Sequence, residues 1–417
     1  MAQSVGRRSP EADLTESALY AGGFPHEIFT ALRHHGPVAW QAFPDGFPGS
    51  HDPGFWVLSK HEDIQMVSRN PELFSAFDGP QLSHQPEIAG AMLVSMDGPD
   101  HVRLRRLISA GFTPRMVKQL EHQIRRWAES IVDRALDQGE CDFVSDVAYK
   151  LPMHVIADIV GIPLEDRDWL FTMTNEFLQS GLPEDPVAPE EYLGVQMQMF
   201  EYAQKLGQDK REHPQDDVWT LLSTVEVDTE DGEPTALSPL ELDLFFLLLT
   251  VAGSETTRNA VSQGLVALLE HPAQLDRLRH DPGSTPLAVE EVLRWSSPVA
   301  YFARRARRDT EIRGVPIAEG DRVTMWFPSA NRDEDVFSDP FLFDIGRSPN
   351  PHLAFGGGGV HFCLGAHLAR RELATLLDVL LERSARIELV GEPRYTPLGI
   401  FNPILLFMGE LPVRVTR

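Results

Sequence analysis

The stretch AFGGGGVHFCLGA (Ala354–Ala366) limits what this chain can become more than any other. A run of four glycines, a histidine and one of only two cysteines among 417 residues share a single short loop. The residues that follow, LGAHLARRELATLLDVLLER, repeat their apolar positions at helical spacing. Cys363 therefore falls just before a helix N-terminus, where unpaired N–H groups and the helix dipole favour negative charge. That placement matters because the thiolate, not the thiol, binds metal. The glycines ahead of it let the backbone turn tightly and lie close against something flat. Gly365 and Ala366 keep the first helical turn thin.

One cysteine with no second thiolate suits haem iron, which takes a single axial ligand from the protein. Zinc is a competing reading, with His361, Cys363 and His367 as three of four ligands, although HxCxxxH is not a usual zinc spacing. A buried structural cysteine beside a Gly-rich loop is the plain reading. Cys141, in GECDFVSDVA, is read that way.

The formal charge of −25 disfavours nucleic acid, whose phosphates need a basic surface. HVRLRR (His101–Arg106) and HLARRE (His367–Glu372) are locally basic exceptions. Two cysteines make no disulfide framework. No stretch approaches the roughly 18 apolar residues of a membrane span. The N-terminus lacks the order of a signal peptide, so the expectation is a soluble, cytoplasmic protein. Residues 1–20 read as a flexible polar tail, and 21–417 as one large domain without linker or repeat.

GPVAW (Gly36–Trp40) and FWVLS (Phe55–Ser59) read as a strand pair. From Pro114 the pattern turns helical and ends at a Gly stop. Further helices are expected over Asp166–Gln179, Glu190–Arg211, Pro239–Leu269, Pro286–Trp295 and Ala366–Arg383. RVTMWF and ILLFMG read as strands, and Gly181–Pro189 as a loop. The fold class is mainly α with small β-sheets.

Four more stretches carry chemistry. VAGSETTRN (Val251–Asn259) interrupts an apolar helix with a glycine, an acid and two threonines, and buried polar groups there need a reason. Gly with Thr can loosen the helical ladder and open a groove. EVLR (Glu291–Arg294) sets an acid and an arginine on one helical face; Glu255 and Arg258 share that spacing. FDIGR supplies Arg347 shortly before the cysteine loop. HVRLR places His101 and Arg105 at i and i+4, where both can grip a carboxylate.

In this combination and order the stretches resemble the cytochrome P450 monooxygenases, from about Gly36 to the end of the chain. The resemblance implies the cytochrome P450 fold, haem b as cofactor and Cys363 as axial ligand of its iron. His361, His101, Arg105 and Arg304 match propionate-binding positions. Arg304 is chosen from YFARRARR by its distance to Gly314. Glu291, Arg294 and Arg347 match a buried structural ion network. Glu255 and Thr256 match the acid–alcohol pair that manages protons in the family's oxygen chemistry. Leu93, Leu248, Ala252, Val299 and Phe401 match regions that line the substrate pocket.

Phe355 lies eight residues before Cys363, where seven is the commoner family spacing; the extra residue is a glycine. Such a loop is similar to that of an actinobacterial branch that oxidises sterol side chains and methyl-branched lipids. SANRDE, SPNPHLAFGGGG and HLARREL strengthen that likeness. The implied reaction is insertion of one atom of O2 into a C–H bond of a lipophilic substrate. Terminal (omega) hydroxylation of a methyl-branched fatty or isoprenoid lipid, or of a sterol side chain, leads. Hydroxylation or epoxidation of a polyketide or terpenoid intermediate is the alternative. A peroxide-driven enzyme and a non-enzymatic haem sensor or carrier stand further off, because neither needs Glu255 and Thr256. The chain contains no flavin or iron–sulfur segment, so electrons are expected from a ferredoxin with its NAD(P)H-dependent reductase. Arg103, Arg106, Arg370 and Arg371 are candidates to steer that partner.

Overall fold

The structure, a computed structural model, describes residues 10, 12–47, 52–82, 89–109, 111–179, 189–228, 234–397 and 406–417. They form two compact units, each assembled from separated segments. One comprises Met1–Gly98, Glu290–Cys363 and Arg394–Phe407; the other Pro99–Val289, Leu364–Pro393 and Met408–Arg417.

The first unit is built on a five-stranded sheet. Its strand order is Val38–Ala42, Gly54–Leu58, Arg322–Trp326, Tyr301–Ala306 and Phe74–Ser75. The expected pair forms, antiparallel, with Trp40 opposite Trp56. Alternation along the strands sends Trp40, Trp56 and Leu58 to one face, where Ile64 and Val67 of the helix His61–Arg69 cover them. Ala39, Phe55, Val57 and Trp326 cover the other face with Phe29 and Leu32 of the helix His26–His35. The helix His61–Arg69 is pinned at its start, where Asp333 accepts from the His61 amide at 2.9 Å and from Lys60 Nζ at 2.8 Å. Its last residues thereby have a fixed position, which the cysteine loop uses.

Part of the expected tail is packed. Leu14 and Tyr20 are fully buried, and the Tyr20 hydroxyl donates to the Leu14 carbonyl at 3.0 Å. An aromatic and a leucine spaced among polar residues gave no periodic signal, yet both fill the sheet's second face.

The second unit is helical. Pro114–Gln138 starts at a Thr113 cap on the Met116 amide (3.3 Å) and stops at Gly139, whose φ of 76° suits glycine. Pro239–Glu270 begins with a reciprocal cap: Ser238 Oγ accepts from the Glu241 amide, and Glu241 accepts from the Ser238 amide. The helix then runs unbroken through Val251–Asn259. The expected loosening of its ladder is not seen. Gly253 serves close packing instead, since a Cβ there would stand 2.9 Å from Ile156 Cδ1 of the helix Lys150–Val160. Ala366–Arg383 lies alongside Pro114–Gln138 and is tied to it by Arg371–Glu121 (2.7 Å) and Arg383–Asp133 (2.6 Å). The second unit also holds a three-stranded sheet of Arg386–Leu389, Pro412–Thr416 and Glu140–Asp142.

The other expected helices appear as Arg167–Gln179, Pro189–Glu212 and Thr285–Ser296. The loop expected over Gly181–Pro189 lies outside the described residues, except that Pro189 opens its helix. The strand expected in ILLFMG is described only from Leu406 onward. Lys150–Val160 was not anticipated: its eight buried residues make a nearly continuous apolar run, whose period reads equally as strand or helix.

Candidate active site

A backbone hydrogen bond from the Cys363 amide to the Phe355 carbonyl, at 3.1 Å, spans the cysteine loop. The loop's extra glycine does not prevent that bond. The Phe355 ring lies 6.3 Å from that of Phe362 and 6.1 Å from that of His352. Gly356, Gly358 and Gly359 take φ of 92°, 92° and 78°, a region that side chains disfavour. Gly357 is needed for a different reason: a Cβ there would meet Ser68 Oγ at 2.4 Å. The glycine run is thus used in full. Cys363 is exposed, His361 half-buried, and Gly365 is the N-cap of the helix Ala366–Arg383.

Glu291 and Arg294 are both fully buried. Arg294 Nε and Nη2 reach the two carboxylate oxygens at 2.8 and 2.7 Å, the fork geometry of a strong ion pair. Arg347 Nε adds contacts at 3.2 and 3.3 Å, and the Asp344 amide and Asn350 Nδ2 donate at 2.9 and 3.2 Å. The three expected network residues are therefore brought together. Sequence reading missed Arg332, which is buried beside them, donates to the carbonyls of Arg294 (3.0 Å) and Trp295 (3.1 Å) and lies over the Trp295 ring. Burial pulls its pKa well below the ordinary arginine value. Its signal lay in SANRDE, but nothing in that string gives the contact.

Among the arginines of YFARRARR, Arg305 is committed to Asp52 and Asp78, and Arg307 to Asp97. Arg304 is different. It is buried and donates to its own neighbour's carbonyl, Ala303, at 2.8 Å. Among the described residues no carboxylate forms an ion pair with it. Burial lowers its pKa to about 10, against the opposing pull of Asp97. A buried guanidinium without a carboxylate is costly unless an anion arrives. That is the fit expected of a propionate-binding position.

In the second unit Glu255 is fully buried, and burial raises its pKa against the opposing effect of Arg258. Arg258 Nη2 lies 2.5 Å from Glu255 Oε2, and its guanidinium rests over the Tyr149 ring. The Thr256 hydroxyl donates to the Ala252 carbonyl at 2.8 Å, one turn back. Leu248, Ala252 and Thr256 recur every four residues on one face of the helix; Ala252 is exposed and the other two half-buried. Their neighbours Phe246, Leu247, Thr250, Ser254 and Glu255 are buried. The helix thus presents an apolar strip ending in a hydroxyl.

His101 is buried and Arg105 half-buried on one face of the helix Gly98–Ser109. Leu93 is buried, Val299 packs half-buried against the sheet core, and Phe401 lies outside the described residues. Two arginines of the supposed steering patch are partly neutralised, Arg103 by Glu241 and Arg371 by Glu121. Sequence reading also passed over Glu372, a buried carboxyl in HLARREL whose pKa burial alone pushes up to about 8.

Among the described residues no three His, Cys, Asp or Glu side chains are grouped to hold a metal ion, so the zinc alternative has no ligand set. A lone cysteine donor, a buried arginine lacking an acid and an apolar strip beside an acid–alcohol pair suit a haem–thiolate protein. The cytochrome P450 family pattern matches residues 285–386, the span that holds the Glu291 network and the cysteine loop. The steroid C26-monooxygenase of Rhodococcus jostii (strain RHA1) is 38% identical, with 96% of this chain and 86% of that protein aligned. The methyl-branched lipid omega-hydroxylase of Mycobacterium tuberculosis (strain ATCC 25618 / H37Rv) is 41% identical over 88% of this chain and 86% of that protein. A Mycobacterium marinum cytochrome P450 solved in complex with pseudoionone superposes with a TM-score of 0.88 at 36% identity, covering 98% of this chain and all of that one. The chain belongs to the cytochrome P450 family. It is a monooxygenase, an oxidoreductase that incorporates oxygen from O2.

Proposed function

We propose that this enzyme hydroxylates the terminal carbon of a methyl-branched fatty or isoprenoid lipid, or of a sterol side chain. The observation that carries the reading is the strip Leu248–Ala252–Thr256, an apolar track that leads to a hydroxyl. The names of the steroid and methyl-branched-lipid relatives support it.

Haem b is the group that suits the donor set, and the Cys363 sulfur would hold its iron. Arg304, His101, Arg105 and His361 would hold its propionates. When bound, the haem supplies the oxygen-activating chemistry. The protein's own residues do the rest. The Thr256 hydroxyl already engages Ala252 and can turn to pass on a proton. Glu255, held above the usual carboxylate range, can exchange protons along the Arg258 side. Leu248 and Ala252 offer the chain an apolar wall, and Leu93, Val299 and Phe401 are assigned the same role. Terminal C–H bonds resist oxidation more than internal ones, so such a wall must fix the position of the chain. The catalytic fold is assigned to residues 21–417 together with the packed segment from Leu14 to Tyr20. Among the described residues no helix is long and apolar enough to cross a membrane. Electrons are assigned to a ferredoxin and its reductase, and the protein to the cytoplasm.

The test is an optical titration of the purified ferric protein. Methyl-branched fatty acids, isoprenoids, cholestenone and polyketides are added in turn while the Soret band is followed. A low- to high-spin shift with a branched lipid or sterol supports the reading. A shift with polyketides alone overturns it in favour of a biosynthetic role.

A further inference from the structure

The four glycines raise a mechanical problem. Leu353, before them, is buried and its amide donates to Asn331 Oδ1 at 2.7 Å. Cys363, after them, must hold one position for its sulfur to act as a ligand. Between these points runs Gly356–Gly359, the composition that gains least order from its own side chains. Backbone bonds within the loop run from Gly356 to Leu353 at 2.9 Å, from Phe362 to Gly359 at 3.2 Å and from Cys363 to Phe355 at 3.1 Å.

The middle of the run rests on the last turn of the helix His61–Arg69. Arg69 Nε donates to the Gly357 carbonyl at 3.1 Å. A Cβ on Gly357 would stand 2.4 Å from Ser68 Oγ, one on Gly358 2.9 Å from Arg69 Nε, and one on Gly359 2.4 Å from the Ser68 carbonyl. Three successive glycines therefore lie against the same two residues. Ser68 is itself fixed, since its hydroxyl donates to the Ile64 carbonyl at 2.8 Å and lies 3.3 Å from Met325 Sδ of the central sheet. Arg69 has no ion pair among the described residues, so its hydrogen bond to the loop is not shared with an acid.

We propose that Ser68 and Arg69 are positioning residues for Cys363: they form a seat that holds the glycine run and, through it, the sulfur. The inference rests on the reading of Cys363 as haem ligand. It gives the extra glycine a purpose, because each added residue lengthens an unrestrained span unless an outside surface takes it up. Hydrogen bonding and solvent access around a ligating sulfur set the strength of its donation and the potential of the metal. A loosened run alters both.

The test uses the holoenzyme and its Arg69→Ala, Arg69→Lys and Gly357→Ala variants, with the double variant Ser68→Gly/Gly357→Ala. Amide hydrogen exchange over residues 356–363 reports the loop directly. The haem reduction potential, and the rate at which the ferrous carbon monoxide complex loses its thiolate spectrum, report the sulfur. Arg69→Ala is expected to speed exchange and spectral loss by ~10-fold or more, with a shifted potential. Arg69→Lys, which keeps a donor, restores most of each. Gly357→Ala behaves like Arg69→Ala, and removing the Ser68 side chain that its Cβ strikes partly rescues it. Exchange and spectral loss within about twofold of the parent in Arg69→Ala overturn the proposal. A parent without any thiolate spectrum would instead sink the assignment of Cys363, and the two failures are thereby separated.

Discussion

Arg258 stands three residues after Glu255 on one helix, and its Nη2 lies 2.5 Å from the buried Glu255 Oε2. Burial raises the carboxyl's pKa, while the guanidinium pulls it back. Replacing Arg258 by methionine keeps length and apolar bulk but removes the charge. The Glu255 pKa then rises further, and the inflection in product yield per NAD(P)H against pH moves to higher pH. An inflection that stays in place would show that Glu255 is not the group that titrates.

Thr256 faces the apolar strip while its hydroxyl is held by the Ala252 carbonyl at 2.8 Å. Thr256→Ala removes the one hydroxyl on that face and leaves Leu248 and Ala252 unchanged. Oxygen and NAD(P)H consumption continue, and product per NAD(P)H falls by ~10-fold or more. Thr256→Ser retains the hydroxyl and most of the yield. Parallel assays of NAD(P)H, peroxide and product decide the matter, and unchanged coupling in the alanine variant refutes the role.

Glu372 is a buried acid whose pKa is raised from 4.5 to about 8 by burial alone. The folded protein therefore binds more protons than the unfolded chain between these values. Its stability is greatest below pH 4.5 as far as this group is concerned, and is lost as pH climbs towards 8. The full loss is on the order of 5 kcal/mol. Glu372→Gln cannot ionise, so its melting temperature falls less between pH 6 and pH 9 than that of the parent. Parallel curves for the two proteins would show that Glu372 keeps no raised pKa.

What could be read from the sequence was what local spacing decides. The Cys363 loop, the Glu291–Arg294 pair and the long helix around Glu255 each lie within one short window, and their residue types imply their chemistry. The two pairs with ExxR spacing both form, at 2.5 and 2.7 Å, yet only tertiary surroundings separate their roles. Glu291 is met by Arg347, Asn350 and a backbone amide from a distant segment, whereas Arg258 reaches only partly into solvent. Arg332 and Glu372 stayed hidden because their significance is burial. An arginine and a glutamate are surface residues by default, and no pattern of neighbours in the chain marks the exception. The glycine run was visible, but its seat was not. Ser68 and Arg69 precede it by nearly 290 residues and carry no motif.

Removing Arg294 tests the buried network. Arg294→Ala leaves Glu291 with Arg347 and Asn350, and frees the carbonyls of Asn331 and Pro340 from a shared donor. Loss of one partner from a fully buried ion pair costs about 3–5 kcal/mol. A denaturant titration is expected to show that loss, together with poor retention of haem. A midpoint equal to the parent's would mean that Arg347 alone can neutralise Glu291.

The loop glycines separate two costs that usually occur together. Gly356 and Gly359 both take positive φ, at 92° and 78°. A Cβ on Gly356 meets nothing within 4 Å, whereas one on Gly359 falls 2.4 Å from the Ser68 carbonyl. Gly356→Ala therefore bears backbone strain alone, about 1–3 kcal/mol. Gly359→Ala adds a collision with backbone that cannot rotate away, so the loop must lift from the helix His61–Arg69. The expected order of haem content and melting temperature is parent, then Gly356→Ala, then Gly359→Ala. Equal effects for the two variants would show that strain, and not contact with Ser68, is what the glycines relieve.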